Sequence, residues 1–142
     1  MNSENFNFSM PLHIRWNDMD ALGHVNNVYY IDYFQTARGY YMPTASKKWD
    51  WTKFMFVIAH IECDYFKEIS LLTQKPIIKV KMTKIGTKSF DIEYLICSQA
   101  KNGSEIIHAK GMSTQVMVDI TQKKSIEIPE WLRKDLTEFE KS

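Results

Sequence analysis

Large apolar residues recur at steps of three and four from position 30 onward: Tyr30, Tyr33, Phe34, Ala37, Tyr40 and Tyr41. Asp32, Gln35 and Arg38 fall off that stripe. The spacing predicts one long amphipathic helix. Val28 and Tyr29 widen its apolar surface. The helix should begin near Asn26 or Asn27, since either side chain can cap the first orphan N–H groups. Gly39 weakens the last turn, and Pro43 is expected to end the helix.

Elsewhere the period is two. Leu12, Ile14 and Trp16 alternate with His13 and Arg15, which predicts a short strand after a loose start over residues 1–10. Residues 17–23 read as a loop. Residues 44–53 form a polar segment carrying Trp49 and Trp51, a loop or a short helix. A strand is predicted over residues 54–65, with Ala59, Ile61, Cys63 and Tyr65 alternating with His60, Glu62 and Asp64. Residues 66–75 connect it to a half-solvated strand through Ile78, Val80 and Met82. Gly86 supplies a turn, and Phe90, Ile92, Tyr94 and Ile96 mark the next strand. Asn102-Gly103 signals a two-residue hairpin turn. A last long strand is expected over residues 105–118, with Gly111 a candidate bulge. A short terminal helix should start at Pro129.

One strand, one long helix and four further strands make an α+β domain, an antiparallel sheet with a single helix that packs on one face. Such a sheet cannot cover its own edges, so pairing of two copies is physically sensible. Composition refines this picture little. A chain of 142 residues is one domain with room for a sizeable core. A formal charge of +1 gives no pull toward nucleic acid or a membrane surface, so neither is expected as a partner. No apolar run approaches membrane-spanning length. Cys63 and Cys97 have no metal-ligand spacing, and no His, Cys or Asp grouping predicts a metal site. No signal pattern is visible, so a reduced, cytoplasmic setting is expected.

The chemistry concentrates between positions 18 and 27. Asp18, Asp20, Gly23, His24, Asn26 and Asn27 lie directly before the aromatic helix. A carboxylate at the mouth of a helix sits beside free backbone N–H groups and the positive end of the helix dipole. Those groups can stabilise an oxyanion, and the carboxylate can activate water or attack a carbonyl. A capped helix after an acidic loop is the plainer alternative. Two other groupings invite weighing. With a two-residue turn at Asn102-Gly103, Cys97 faces His108, a nucleophile pattern on the sheet face away from the core. His60 and Asp64 share a strand face and could reach a partner's site or simply face solvent.

The run Arg15-Trp16-Asn17-Asp18-Met19-Asp20, then Gly23-His24-Val25-Asn26-Asn27, then Tyr30 and Phe34, resembles the entry to the central helix of hotdog-fold thioesterases of the 4-hydroxybenzoyl-CoA thioesterase type. The His24-Val25-Asn26-Asn27 segment is also similar to plant-type acyl-ACP thioesterases. The resemblance implies a hotdog fold, in which the sheet wraps around the helix and subunits pair as a dimer or a dimer of dimers. It implies hydrolysis of an acyl-CoA or aroyl-CoA thioester, with coenzyme A part of the substrate and no cofactor. It places the catalytic carboxylate at Asp20 and the oxyanion donor at the Asn27 N–H; His24 is a further candidate catalytic residue, which could orient the carboxylate, contact substrate or form a local hydrogen bond. Asp18 is expected to hold the loop rather than react. Val25, Asn26, Tyr30 and Phe34, with His60 and Asp64, become the expected substrate contacts. The acyl-ACP type also needs an asparagine two residues before the histidine, where this chain has Leu22. A hydratase or dehydratase using His24, and a non-catalytic acyl-CoA-binding module, are the rival readings.

Overall fold

The computed structural model describes residues 5–142; of the start expected to be loose, residues 1–4 lie outside the described residues. Strand β1 spans Phe8–Pro11, helix α1 Val28–Ala45, β2 Met55–Tyr65, β3 Ile77–Ile85, β4 Ser89–Gln99, β5 Glu105–Val118 and α2 Glu130–Lys141. The five strands form one antiparallel sheet in the order β1-β3-β4-β5-β2. Helix α1 packs on one face of it. The expected α+β architecture is therefore present.

The core lies between α1 and the sheet. Tyr30, Tyr33, Phe34, Ala37, Tyr41 and Met42 are buried against Ile78, Val80, Phe90, Ile92, Tyr94 and Ile96. Phe34 stacks on Tyr94 with ring centroids 4.4 Å apart. Gly111 makes room for this stack. A Cβ there would come within 2.3 Å of the Phe34 ring edge and 2.9 Å of the Glu62 carbonyl oxygen. Gly111 thus pairs regularly with Cys63 and Tyr94 and is not the expected bulge. Close approach of the helix is what requires glycine.

Several local expectations are corrected. The first strand is Phe8–Pro11, paired with β3, and not the Leu12 to Trp16 alternation. Beyond Pro11 the chain leaves the sheet. Residues 16–18 form a 3-10 turn in which Arg15 and Asp18 bond to each other, and Trp16 is exposed. Pro43 does not end α1, which continues to Ala45. A proline there leaves the Gly39 carbonyl without its helical donor. The Trp51 indole N–H supplies one instead, at 3.2 Å. Tyr40, placed on the apolar stripe, is exposed, whereas Arg38, placed off it, is only 6% exposed. The Arg38 Nη1 donates to the Tyr94 hydroxyl at 2.8 Å, which satisfies part of the guanidinium inside the core.

The β4–β5 hairpin also departs from its expected form. Residues 100–104 make the turn, with Gly103 at φ +86°. The pairing shifts between Ile96 and Cys97, so Cys97 faces Ile107 and His108 bulges out of the ladder. Helix α2 follows Pro129 as expected and docks through the buried Leu132 and Leu136. Its Glu140 accepts the Met82 N–H at 2.9 Å and the Tyr41 hydroxyl. Residues 44 and 45 close α1 and residues 46–53 are turns and irregular chain, with Trp49 and Trp51 packed edge-on to each other.

Candidate active site

The loop before α1 is held from inside by Asp18, which is 1% exposed. Its carboxylate accepts the Tyr33 hydroxyl at 2.6 Å, the Arg15 N–H at 3.1 Å and the Arg15 Nε at 3.0 Å. Arg15 Nη2 continues to Asp32 at 2.6 Å. Burial alone would push the Asp18 carboxyl up. The bonds from Tyr33 and Arg15 outweigh it and hold the group below the usual carboxylate range. Burial and the bond to Asp18 push the Tyr33 phenol up in turn. The Asp18 carbonyl accepts the Asn26 N–H at 2.8 Å, which closes the loop onto the helix entry. Asp18 thus holds the loop.

Within that closure residues 20–24 form a tight turn. The Asp20 N–H donates to the His24 carbonyl at 2.7 Å, and Gly23 sits at φ +79°, where glycine is favoured. The Asp20 Oδ1 accepts the Leu22 N–H at 2.9 Å and the His24 N–H at 3.2 Å. Its Oδ2 has no hydrogen-bond partner among the described residues. The carboxylate is therefore fixed by one oxygen and open at the other. Asp20 is exposed in the single chain.

Asn27 stands at the N-cap with φ −54° and ψ −29°, and its side chain makes no cap bond. The expected capping falls to Asn26, whose Oδ1 accepts the Val28 N–H at 3.2 Å. The Asn27 N–H has no hydrogen-bond partner among the described residues. The Asn27 carbonyl accepts the Tyr30 N–H at 3.3 Å and the Tyr65 hydroxyl at 3.0 Å. A free N–H at the positive end of an 18-residue helix is a ready donor to a developing negative charge.

Asp20, His24, Val25, Asn26, Asn27 and Tyr30 line one cleft of about 450 Å³. Its far wall is the segment Tyr65, Phe66, Lys67 and Glu68. Tyr30 meets Tyr65 edge to face at 4.8 Å, and burial pushes its phenol up to about 12. A second cleft of about 480 Å³ adjoins the first, sharing His24, Lys67 and Glu68.

Three expected contacts lie elsewhere. Phe34 is fully buried against Tyr94 and does not line the cleft. His60 is exposed on β2 and pairs with Glu62 at 2.8 Å. Asp64 is exposed and outside the cleft. The Cys97–His108 pair is absent. Cys97 is buried, and its thiol is pushed up to about 11 by that burial. His108 bonds to Ser98 instead. Among the described residues, no group of three or more His, Cys, Asp or Glu is placed to hold a metal ion. Sequence reasoning missed the wall at residues 65–68. Its only local signal is its place just after a long strand, and its approach to Asn27 depends on how β2 pairs with β5.

Known proteins share this arrangement of elements. Residues 14–136 match the thioesterase-like superfamily. The uncharacterized protein YsmA of Bacillus subtilis (strain 168) is 29% identical over 90 residues, covering 63% of this chain and 60% of that protein. The chain thus spans less than two thirds of that curated relative's length. The crystal structure of a thioesterase from Thermus thermophilus, complexed with coenzyme A and zinc, is 28% identical. It has a TM-score of 0.82 and covers 98% of each chain. The PA5185 protein of Pseudomonas aeruginosa strain PAO1 is 26% identical with a TM-score of 0.82, covering 96% of this chain and 93% of that one. A 4-hydroxybenzoyl-CoA thioesterase mutant complexed with 4-hydroxybenzoyl-CoA shares the fold at a TM-score of 0.83 and 14% identity, covering 91% of this chain and 97% of that one. The hotdog architecture is shown by these likenesses.

The Asp18 bonds give a stability prediction. Asp18→Asn removes the charge that Arg15 and Tyr33 bind and should cost about 2–3 kcal/mol at neutral pH. Because the folded-state value is depressed, the wild-type margin is intact above about pH 4. It shrinks as the pH falls through the folded value. Urea unfolding of both proteins at neutral and acid pH checks this, and an unchanged margin in acid would contradict it.

Proposed function

Because the chain belongs to the thioesterase-like superfamily, we propose that it hydrolyses an acyl-CoA or aroyl-CoA thioester to the free acid and coenzyme A. The observation that carries this reading is one cleft holding both a carboxylate oxygen, Asp20 Oδ2, and a helix-end donor, the Asn27 N–H, that have no partner among the described residues. The thioester carbonyl sits with its oxygen toward Asn27. Asp20 attacks the carbonyl carbon, or takes the proton of a water that does so. Negative charge then moves onto the carbonyl oxygen, where a single positioned donor is worth about 3–4 kcal/mol. The C–S bond breaks next; where Asp20 itself attacked, a water then cleaves the acyl–aspartyl anhydride, giving the free acid and restoring the carboxylate. A thiol with a reference pKa of about 8.5 leaves as the thiolate without a dedicated acid. His24, Val25 and Asn26 shape the entrance, and Tyr30 walls the acyl side. The coenzyme A bound by the Thermus thermophilus relative supports that carrier.

A partner completes the assembly. Strand β2 is 11 residues long and forms one edge of the sheet. Val57 is 46% and Ile58 38% exposed on it. A long edge strand with exposed apolar residues is a template for pairing, and a second copy of this chain covers it in a homodimer that can assemble further into a dimer of dimers. His60 and Asp64 then lie at the subunit boundary, within reach of the partner. No helix among the described residues is long and apolar enough to cross a membrane.

Thiol release from a panel of acyl-CoA and aroyl-CoA substrates tests the chemistry. Asp20→Ala should lower turnover by about 10²–10⁴-fold with the fold intact. Equal turnover in the two proteins sinks the role of Asp20, and no turnover on any substrate sinks the function. Sedimentation tests the assembly. The wild type should run as a dimer or larger and Ile58→Lys as a monomer, while a monomeric wild type would refute the pairing.

A further inference from the structure

His108 drops out of the β4–β5 ladder beside the wall of the cleft. The bulge between Ile96 and Cys97 frees it from pairing with β4. Its backbone carbonyl accepts the Phe66 N–H at 2.8 Å and the Lys67 N–H at 3.2 Å. Its ring Nδ1 lies 3.2 Å from the Lys67 carbonyl and 3.1 Å from the Glu68 carbonyl. Carbonyls only accept, so Nδ1 carries the proton. Nε2 then accepts the Ser98 hydroxyl at 2.6 Å, and both side chains are buried. Burial lowers the imidazole's proton affinity.

The Ser98–His108 pair has the look of a nucleophile and its base. Its surroundings argue against that use. The backbone N–H groups of Gln99, Ala100 and Lys67 beside it are all engaged, at 3.3, 2.8 and 3.2 Å, so none of these three offers an oxyanion donor. What the pair does hold is residues 66–68, three of the four wall residues. The fourth, Tyr65, is the last residue of β2 and pairs with Ala109, next to His108. Its hydroxyl donates to the Asn27 carbonyl, whose own peptide neighbours the proposed oxyanion donor.

We infer that His108 is a positioning residue for thioester hydrolysis: its Nδ1–H fastens residues 67 and 68, its backbone carbonyl holds Phe66, and through the adjoining Tyr65 it fixes the helix mouth at Asn27. This rests on the function proposed above. The contact that matters is Nδ1–H to the two carbonyls. Ser98 orients the ring and is secondary. Asparagine places an amide N–H near the Nδ1 position, and glutamine places its amide near Nε2. The two substitutions therefore separate the two contacts.

The test measures kcat, KM and melting temperature on the best thioester from the panel. His108→Asn and Ser98→Ala should keep kcat within about three-fold, whereas His108→Gln should lose about 10–100-fold, as expected when distant supports shift a reacting geometry. Tyr65→Phe, which deletes the served contact and leaves the clamp alone, should show a comparable kcat loss with no change in melting temperature. The double variant of His108→Gln and Tyr65→Phe should be no worse than either alone, because both break one chain of contacts. Equal losses in the Asn and Gln variants, or additive losses in the double variant, overturn the inference. Unchanged kcat in Tyr65→Phe overturns it whether or not His108→Gln folds. A wild type that is inactive on every thioester instead removes the function itself.

Discussion

One buried carboxylate sets the geometry of the whole entrance to α1. Asp18 binds the Tyr33 hydroxyl on the helix and Arg15 on the approaching chain, and its own carbonyl takes the Asn26 N–H. A charge this deep is tolerated only with several donors around it. The same donors fix where residues 19–26 run. Within that closure one oxygen of Asp20 and the N–H of Asn27 have no hydrogen-bond partner among the described residues. Where the neighbouring polar groups are satisfied, the pair left open is the pair available to a ligand.

The sheet serves this entrance from behind. Gly111 lets the Phe34 ring settle against Tyr94, which brings α1 close to β4 and β5. Close approach in turn puts Tyr65 within hydrogen-bond reach of Asn27. The Trp51 indole covers the carbonyl that Pro43 leaves open, so the helix keeps its last turn and Met42 and Ala45 stay in the core. Packing and polar satisfaction act together here, and the cleft lies where they meet.

What the sequence made legible was local. The 3.6-residue stripe marked α1, and the acid, glycine, histidine and two asparagines before it marked the loop that carries Asp20 and Asn27. Non-local choices were hidden. The alternation of Leu12, Ile14 and Trp16 looks like a strand, but the Arg15–Asp18 bonds turn the chain and β1 forms one step earlier. Asn102-Gly103 suggests a two-residue turn, yet residues 100–104 form the loop and the ladder shifts by one at His108. Whether Arg38 is buried depends on the Tyr94 hydroxyl across the sheet. The wall at residues 65–68 follows from the β2–β5 register, which no short pattern encodes.

In the proposed mechanism the helix-end N–H of Asn27 receives the charge of the reacting carbonyl. Its φ of −54° is one that proline adopts without strain, so Asn27→Pro, read against Asn27→Ala to account for the lost side chain, removes this backbone donor. The decisive measurement is kcat of that variant on a thioester the wild type hydrolyses, alongside its melting temperature. A fall of about 10²–10³-fold in a protein that melts like the wild type is the expected result. Undiminished kcat in the folded variant would show that the charge is stabilised somewhere else.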